Sequence, residues 1–328
     1  MKTGDNAYEI SNVQELQIMA LDLSGNYTLT QSFSAAETTD WNGGAGFNPI
    51  GNASNLNQYT GVFDGAGYEI DSFRINRSQD YVGLFGYVSD ATIKNIGLTN
   101  VDIDVVGDFD FQGGLIGRAV GSSANKTLIE NVFVTGDIDA TSGDGTGFII
   151  GDTGINNTGG KGYVTLRDSY SSGAITGYIN VGGLIGRVNS GGVDIDRVHS
   201  TADISAQTGS NLGGIVGFMH GDDDGPNTLS DSYFLGSIIA PASAGIGGIV
   251  GLMQDNSVVS NVYTAAIMSG SPSVGAIYGF ADSDWNGSLS NAYWDVESTG
   301  IGSVESSFGA IETSFSSGSL ATTVLGKS

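Results

Sequence analysis

The residues best suited to chemistry lie in one acidic turn, GDDDGPN, at positions 221–227. Its carboxylates Asp222, Asp223 and Asp224 are hard oxygen ligands of the kind that calcium binds together with backbone carbonyls. The turn lacks the alternating acidic spacing and the closing bidentate Glu of an EF-hand. Two interpretations therefore stay open, a calcium site and a solvated acidic turn. Calcium is the one cofactor that the sequence suggests, and no cofactor is required.

Four further side chains in long irregular segments are candidate ligand-binding residues: Asn156, Lys161, His220 and Trp285. Loops held by a rigid scaffold often carry binding residues. The ring of Trp285 suits stacking on a sugar, although a tryptophan that covers the end of the scaffold fits the sequence equally well. We therefore expect a glycan or a protein surface to be bound through these loops.

The elements that position these loops repeat along the chain. A short glycine-rich motif, GGLIGR in its second copy, closes at Gly86, Gly117, Gly151, Gly186, Gly217, Gly251 and Gly279. This spacing is typical of a repeat architecture, and each repeat holds three short strand-like segments that cannot bury their apolar faces alone. The sequence therefore predicts an all-β fold, a right-handed three-sided parallel β-helix of about seven to nine coils. The hand follows from the general preference of parallel crossovers.

Three regions are expected along the chain. Residues 1–60 form an N-terminal cap with irregular strands and an amphipathic helix over about 12–23, which Ser11 caps. Residues 61–295 form the β-helix repeats, and residues 296–328 form a C-terminal cap or covering tail. Solenoids need such terminal units because their end coils lack a neighbour.

The repeats also predict columns of stacked side chains. In each repeat the second strand-like segment begins with an apolar residue, as at Ile129. Strict alternation from that residue places an aromatic column inside. It consists of Phe133, Tyr170, His199, Tyr233, Tyr263 and Tyr293. A mostly amide column two residues earlier is expected to be buried and hydrogen-bonded along its length. It consists of Asn95, Asn131, Asp168, Arg197, Asp231, Asn261 and Asn291.

Two features of the motif itself bear on the surface. The column directly after it, Tyr87, Arg118, Asp152 and Arg187, is expected to form a surface ion-pair ladder. The motif also places two apolar residues side by side, as in LI of the second copy, and on a straight strand one of them would face outward. Either the chain bends there and buries both, or an apolar stripe needs a partner or a covering segment.

Charge excludes several partners. The 328 residues carry 35 acidic and 11 basic side chains, a formal net charge of −24. No Lys or Arg lies between Val198 and Gly326, so nucleic acid and anionic membranes are not expected partners. Cysteine is absent. The sequence also contains no run of about 18 apolar residues, the length needed to cross a membrane.

The motif copies VGLFG, GGLIG and GGIVG resemble the GLUG motif of bacterial secreted and surface proteins. The resemblance covers about residues 61–295, and NAYWDVESTG is similar to the usual exit from such repeats. It implies an adhesin-like β-helix, exported as part of a larger bacterial protein and located outside the cell or on its surface. Because the motif is structural, the resemblance implies no catalytic residues.

These observations favour an extracellular adhesion or binding module over an enzyme. The alternatives are a polysaccharide-degrading β-helix enzyme and a passive stalk. A lyase needs a base such as Lys or Arg, and a hydrolase needs paired carboxylates. The acids on adjacent coils instead alternate with bases and amides, so no catalytic residues are predicted.

Overall fold

The computed structural model describes residues 2–4, 6–52, 57–154, 162–206, 211–222, 225–240, 245–270, 274–300 and 324–327. Over these residues the chain is an all-β parallel solenoid of about seven coils, as the sequence predicts. Its strands form three sheets of 18, six and seven strands. Successive coils pair in parallel and in register, for example Ile129 with Leu166 and Leu166 with Ile195.

The bounds of the elements follow the sheets. The 18-stranded sheet contains Lys2–Gly4, Ala7–Ile10, Asn26–Leu29, Phe33–Ser34, Val62–Asp64, Glu69–Asp71, Arg74–Asn76, Thr92–Asp104, Thr127–Asp139, Val164–Gly177, Asp194–Ser200, Asp203–Ala206, Asn227–Phe234, Ser237–Ala240, Ser257–Thr264, Ile267–Gly270, Ser288–Asp295 and Val324–Lys327. The six-stranded sheet contains Gln112–Gly113, Asp144–Gly147, Ile179–Gly182, Leu212–Gly213, Ile246–Gly247 and Val274–Gly275. The seven-stranded sheet contains Phe85–Ser89, Ile116–Val120, Ile150–Thr153, Ile185–Asn189, Val216–His220, Val250–Gln254 and Tyr278–Ala281.

The glycine motif is the bend between the six-stranded and the seven-stranded sheet. Leu115 and Ile116 are both fully buried, so the bent-chain interpretation is confirmed and no apolar stripe faces solvent there. The bend needs glycine because a Cβ on Gly113 would lie 2.0 Å from the carbonyl oxygen of Ile116. A Cβ on the closing Gly117 would lie 2.6 Å from the carbonyl carbon of Tyr81 on the previous coil.

The aromatic column faces outward, so the prediction that it is buried was wrong. Asn131 and its counterpart Asp168 adopt left-handed backbone conformations, with φ of 51° and 52°. One left-handed residue turns the strand and shifts its alternation by one position. Val132 is therefore buried, while Tyr170 is 37% exposed. The rings from Phe133 to Tyr233 stack along the outer surface, with centroids of Tyr170 and His199 5.1 Å apart.

The amide column is hydrogen-bonded as predicted but lies on the outside rather than in the core. The side-chain amide of Asn131 donates to Asn95 over 2.8 Å, and that of Asn291 donates to Asn261 over 2.8 Å. Asn and Asp suit these positions because they tolerate the left-handed conformation better than other residues that carry a Cβ.

The N-terminal helix is shorter than predicted and begins one residue later. An α-helix spans Val13–Ile18, and a 3-10 turn follows at Met19–Leu21. Asn12, not Ser11, caps it by accepting from the backbone N–H of Glu15 over 2.9 Å. The Glu15 carboxylate in turn accepts from the backbone N–H of Ser11 over 2.7 Å, which ties the first turn of the helix to the residue before its cap.

A second 3-10 segment spans Ala36–Gly44, and a short α-helix spans Val296–Thr299. The C-terminal strand Val324–Lys327 pairs in parallel with Ser288–Asp295 and so adds a strand beyond the last coil of the 18-stranded sheet.

Candidate functional site at the loop corner

The long loops lie together at one corner of the solenoid. Each loop joins a strand of the seven-stranded sheet to a strand of the 18-stranded sheet, and we call this edge the loop corner. Among the described residues it comprises 90–91, 121–126, 154 with 162–163, 190–193, 221–222 with 225–226, 255–256 and 282–287. Because the strands stack in register, insertions are accommodated at the corners, and loop length varies most at this one.

Three successive loops enclose a cleft at this corner. Its volume is about 250 Å³, and Asp222, Asp255, Asn256 and Asn286 line it. We call it the corner cleft. Its described lining residues carry carboxylates and amides, which hydrogen-bond hydroxyl groups and also supply the oxygen ligands of a cation such as calcium.

Backbone hydrogen bonds hold the corner cleft in shape. The carbonyl oxygen of Asp255 accepts from the N–H of Ser257 over 2.8 Å and from the N–H of Asn286 over 3.2 Å. The side-chain amide of Asn256 donates to the carbonyl oxygen of Asp222 over 3.3 Å. Asp255 itself has a left-handed backbone with φ of 45°, which its place between these loops maintains.

His220 lies at the edge of this site. Its Nε2 atom is 2.6 Å from a carboxylate oxygen of Asp255, and its ring stacks on Phe218 at a centroid distance of 5.9 Å. The strand register places it between Asn189 and Gln254 on the neighbouring coils. The structure therefore brings two residues of the sequence prediction, His220 and Asp222, to the same corner.

Trp285 cannot stack on a ligand in this structure, which corrects the sugar-stacking interpretation. It is only 4% exposed, and its indole N–H donates to the carbonyl oxygen of Ser257 over 2.9 Å. Its ring packs against Tyr278 at a centroid distance of 6.0 Å. Trp285 thus fills the space beneath the last loop, as the alternative interpretation expects.

The other predicted site residues lie outside the described residues: Asn156, Lys161, Asp223 and Asp224. Within the described part of the chain, no group of three or more His, Cys, Asp and Glu side chains could hold a metal ion. Sequence reasoning missed Asp255, Asn256 and Asn286. The signal for them was the asparagine that recurs in DN and in WN, after strands of the seven-stranded sheet on two successive coils.

The ion-pair column after the glycine motif is buried, so the prediction of a surface ladder was wrong. Asp152 is fully buried and accepts from Nε of Arg118 over 2.8 Å and from Nε of Arg187 over 2.7 Å. The guanidinium of Arg118 lies 4.1 Å from the ring centre of Phe111, and Arg187 also pairs with Asp144. Burial raises the pKa of the Asp152 carboxyl, while the two arginines act in the opposite direction. Because all these groups have partners, the cluster is structural.

Fold and site together define a parallel β-solenoid with a polar cleft at its loop corner. No protein-family model matches the chain. Halomucin of Haloquadratum walsbyi is 36% identical over 165 residues, which cover 47% of this chain and 2% of that protein. A protein of Evansella cellulosilytica, named as a Gly-rich membrane protein, is 34% identical over 136 residues. The immunoglobulin A1 protease of Streptococcus sanguinis is 28% identical over 232 residues, or 68% of this chain. The matched segments span 15% of the Evansella protein and 11% of the protease.

Solved structures share the fold. A Bacteroides ovatus protein described as an immunoglobulin A1 protease superimposes with a TM-score of 0.65 at 20% identity, covering 87% of this chain and 84% of that chain. A structure named IgA1 protease superimposes with a TM-score of 0.56 at 18% identity, and this chain covers 21% of its length. At such identities the likeness shows the fold alone. No helix among the described residues is long and apolar enough to cross a membrane.

Proposed function

We propose that the chain is an adhesion or binding module of an extracellular or cell-surface protein, and that it recognises a glycan through the loop corner. The corner cleft carries this proposal, because three successive loops present carboxylates and amides in one concave site. Such groups match the hydroxyl-rich surface of a sugar. The membrane-protein name of one relative supports the location.

Calcium is part of this proposal as a bridging ion. Asp222 and Asp255 both line the corner cleft, and the acidic turn 221–227 begins there. A calcium ion bound by these oxygens would coordinate sugar hydroxyls directly. We expect glycan binding to be stronger with calcium than with a chelator.

The test is binding of the purified chain to a broad glycan panel, with calcium and with chelator, in wells also assayed for released sugar. Asp255→Asn and Asn256→Ala should each weaken binding about tenfold, the loss expected for one hydrogen bond to a charged or buried group. The matched control is Asp137→Asn, which removes one exposed carboxylate from a different face.

Each outcome has a distinct meaning. Binding that survives both corner variants would refute recognition by the corner cleft. Released sugar would instead favour a polysaccharide-degrading enzyme. An absence of binding to any glycan would leave a stalk or a module that binds protein. The protease names of the relatives do not decide between these outcomes, because the matched segment is 11% of the curated protease.

A further inference from the structure

A second cleft lies at the opposite end of the molecule, in the N-terminal cap. Its volume is about 720 Å³, within the range of small-molecule sites. We call it the N-terminal cleft. The helix Val13–Ile18 and the turn after it form one wall, and the 3-10 segment Ala36–Gly44 with the residues that follow it forms the other. The lining residues are Gln17, Ala20, Trp41, Asn42, Ala45, Asn48 and Arg77.

Arg77 is the unusual member of this lining. Its Nε donates to the carbonyl oxygen of Phe47 over 2.8 Å, and its Nη2 donates to that of Gly46 over 3.2 Å. Every other Lys or Arg whose side chain the structure describes lies within 4.0 Å of a carboxylate, and Arg77 does not. In a chain with 35 acidic residues, a half-buried arginine without a carboxylate partner is a place where a ligand can supply one.

The guanidinium has donors left for such a ligand. It carries five N–H bonds, and the carbonyl oxygens of Phe47 and Gly46 accept two of them. These two bonds also fix the plane of the group, so little side-chain entropy is lost when a carboxylate binds. Burial lowers the pKa of Arg77, which remains charged at any physiological pH.

The rest of the N-terminal cleft suits a sugar ring. Trp41 is half-buried, and its ring rests on Phe47 at a centroid distance of 6.4 Å and an interplanar angle of 22°. Gln17 exchanges two hydrogen bonds with the backbone of Asn48, which ties the helix to the opposite wall. Asn42, with a left-handed φ of 54°, donates its side-chain amide to the carbonyl oxygen of Gly46 over 2.8 Å. The walls are therefore preorganised, and preorganisation lowers the cost of binding.

We propose that the N-terminal cleft binds a saccharide that carries a carboxylate, with Arg77 receiving the carboxylate and Trp41 packing against the ring. The amides of Asn42 and Asn48 are placed to contact the hydroxyls. This site is separate from the corner cleft, and its occupancy does not depend on calcium.

The chain offers a direct optical readout of this site. Its three tryptophans are Trp41, Trp285 and Trp294, and the last two are only 4% and 1% exposed. A ligand that enters the N-terminal cleft should therefore change the fluorescence of Trp41 and protect it from acrylamide quenching. Titrations would use trigalacturonate and sialyllactose as two kinds of sugar acid, with galactotriose and lactose as their neutral counterparts.

We expect at least one sugar acid to titrate the fluorescence and its neutral counterpart to bind at least tenfold more weakly. Arg77→Gln should lower the affinity for the acid at least tenfold and leave the neutral sugar unchanged. Arg167→Gln is the matched control, since Arg167 is a surface arginine paired with Glu130. Asp255→Asn should not change this titration, which separates the N-terminal cleft from the loop corner.

Three results would overturn the proposal. One is the absence of any saturable response to either sugar acid. Another is equal affinity for the acid and the neutral sugar. The third is an equal loss in Arg167→Gln and Arg77→Gln, with circular dichroism unchanged in both. Because the chain as a whole is strongly negative, general attraction of anions cannot imitate a positive result.

Discussion

Replacing Asp152 with Asn should destabilise the middle coils far more than the same change at an exposed ion pair. Asp152 has no exposed side-chain surface, and its two partners, Arg118 and Arg187, expose 9% and 15% of theirs. The amide of Asn removes the negative charge but keeps the shape. Two buried guanidinium groups would then face each other across a neutral residue.

The magnitude follows from the remaining contacts. Removing one partner of a buried ion pair costs about 3–5 kcal/mol of folding free energy. Arg187 keeps its pair with Asp144, and Arg118 keeps the ring of Phe111, so we expect the lower end, about 3 kcal/mol. The matched control is Asp168→Asn. Asp168 pairs with Arg197 at 46% and 50% side-chain exposure, so its loss should cost about 0–1 kcal/mol.

Hydrogen exchange read by mass spectrometry is the suitable assay, because a repeat array need not unfold in two states. Stability in a solenoid is carried by each coil and its neighbours. The effect should therefore be concentrated in Ile116–Val120, Ile150–Thr153 and Ile185–Asn189. Exchange there should accelerate roughly a hundredfold, since each 1.4 kcal/mol is a factor of ten. Equal effects of Asp152→Asn and Asp168→Asn would refute the argument from burial.

An apolar replacement of the whole cluster separates stability from other roles. The quadruple variant Arg118→Met, Asp144→Asn, Asp152→Leu, Arg187→Met also neutralises the carboxylate that pairs with Arg187. It should be as stable as the wild type, or more stable by about 1–4 kcal/mol, because the charges no longer have to be desolvated. A large loss of stability in the quadruple variant would show that the ion cluster itself stabilises the fold.

Three further predictions concern the coils. Gly186→Ala should lower the free energy of unfolding by about 3 kcal/mol, since its Cβ would lie 2.3 Å from the backbone nitrogen of Thr146. Gly245→Ala is the control and should be tolerated, because its nearest contact would be at 3.2 Å. The melting temperatures of the two variants test this difference. Asn131→Ala should lower the free energy of unfolding by about 1–2 kcal/mol, because alanine disfavours the left-handed φ and cannot make the side-chain hydrogen bond. Asn131→Gly should recover about half of this loss, and chemical denaturation measures both variants. Burial lowers the pKa of His199, so the stability that its neutral form contributes is present above about pH 6.5 and is lost as the pH falls through the folded-state value. Between pH 7 and pH 5 the melting temperature of His199→Phe should therefore fall less than that of the wild type.

The fold could be predicted from the sequence because its signal is repeated. Seven glycine motifs fix the bend, and a Cβ at Gly113 or Gly117 would collide with backbone atoms. The columns were harder to place, since a period-two pattern holds only while the strand is straight. Because Asn131 has a left-handed backbone, the residues after it face the opposite way from what simple alternation predicts.

The candidate sites were predictable only in part, for a related reason. The loop corner could be predicted from the spacing between the repeated motifs, which can be read directly from the sequence. The N-terminal cleft could not be predicted in this way, because Trp41 and Arg77 are distant in sequence and line one cleft only through the packing of the cap. The burial of Asp152 was missed because the segments that cover its face, which bring Phe111 and Asp144 to the two arginines, belong to other strands of the coils.

The outward turn of the aromatic column also restricts where the solenoid can bind a sugar. Sugars pack against the flat faces of aromatic rings, and from Phe133 to Tyr233 the rings of this column cover the faces of one another. Tyr170 and His199 are 5.1 Å apart at 10°, and His199 and Tyr233 are 4.6 Å apart at 9°. These stacked rings therefore present their edges and the tyrosine hydroxyls to solvent, which suit hydrogen bonding along a surface rather than stacking. Because Trp285 and Trp294 are buried as well, stacking on tryptophan is left to Trp41 in the N-terminal cleft, and the loop corner must act through its carboxylates and amides.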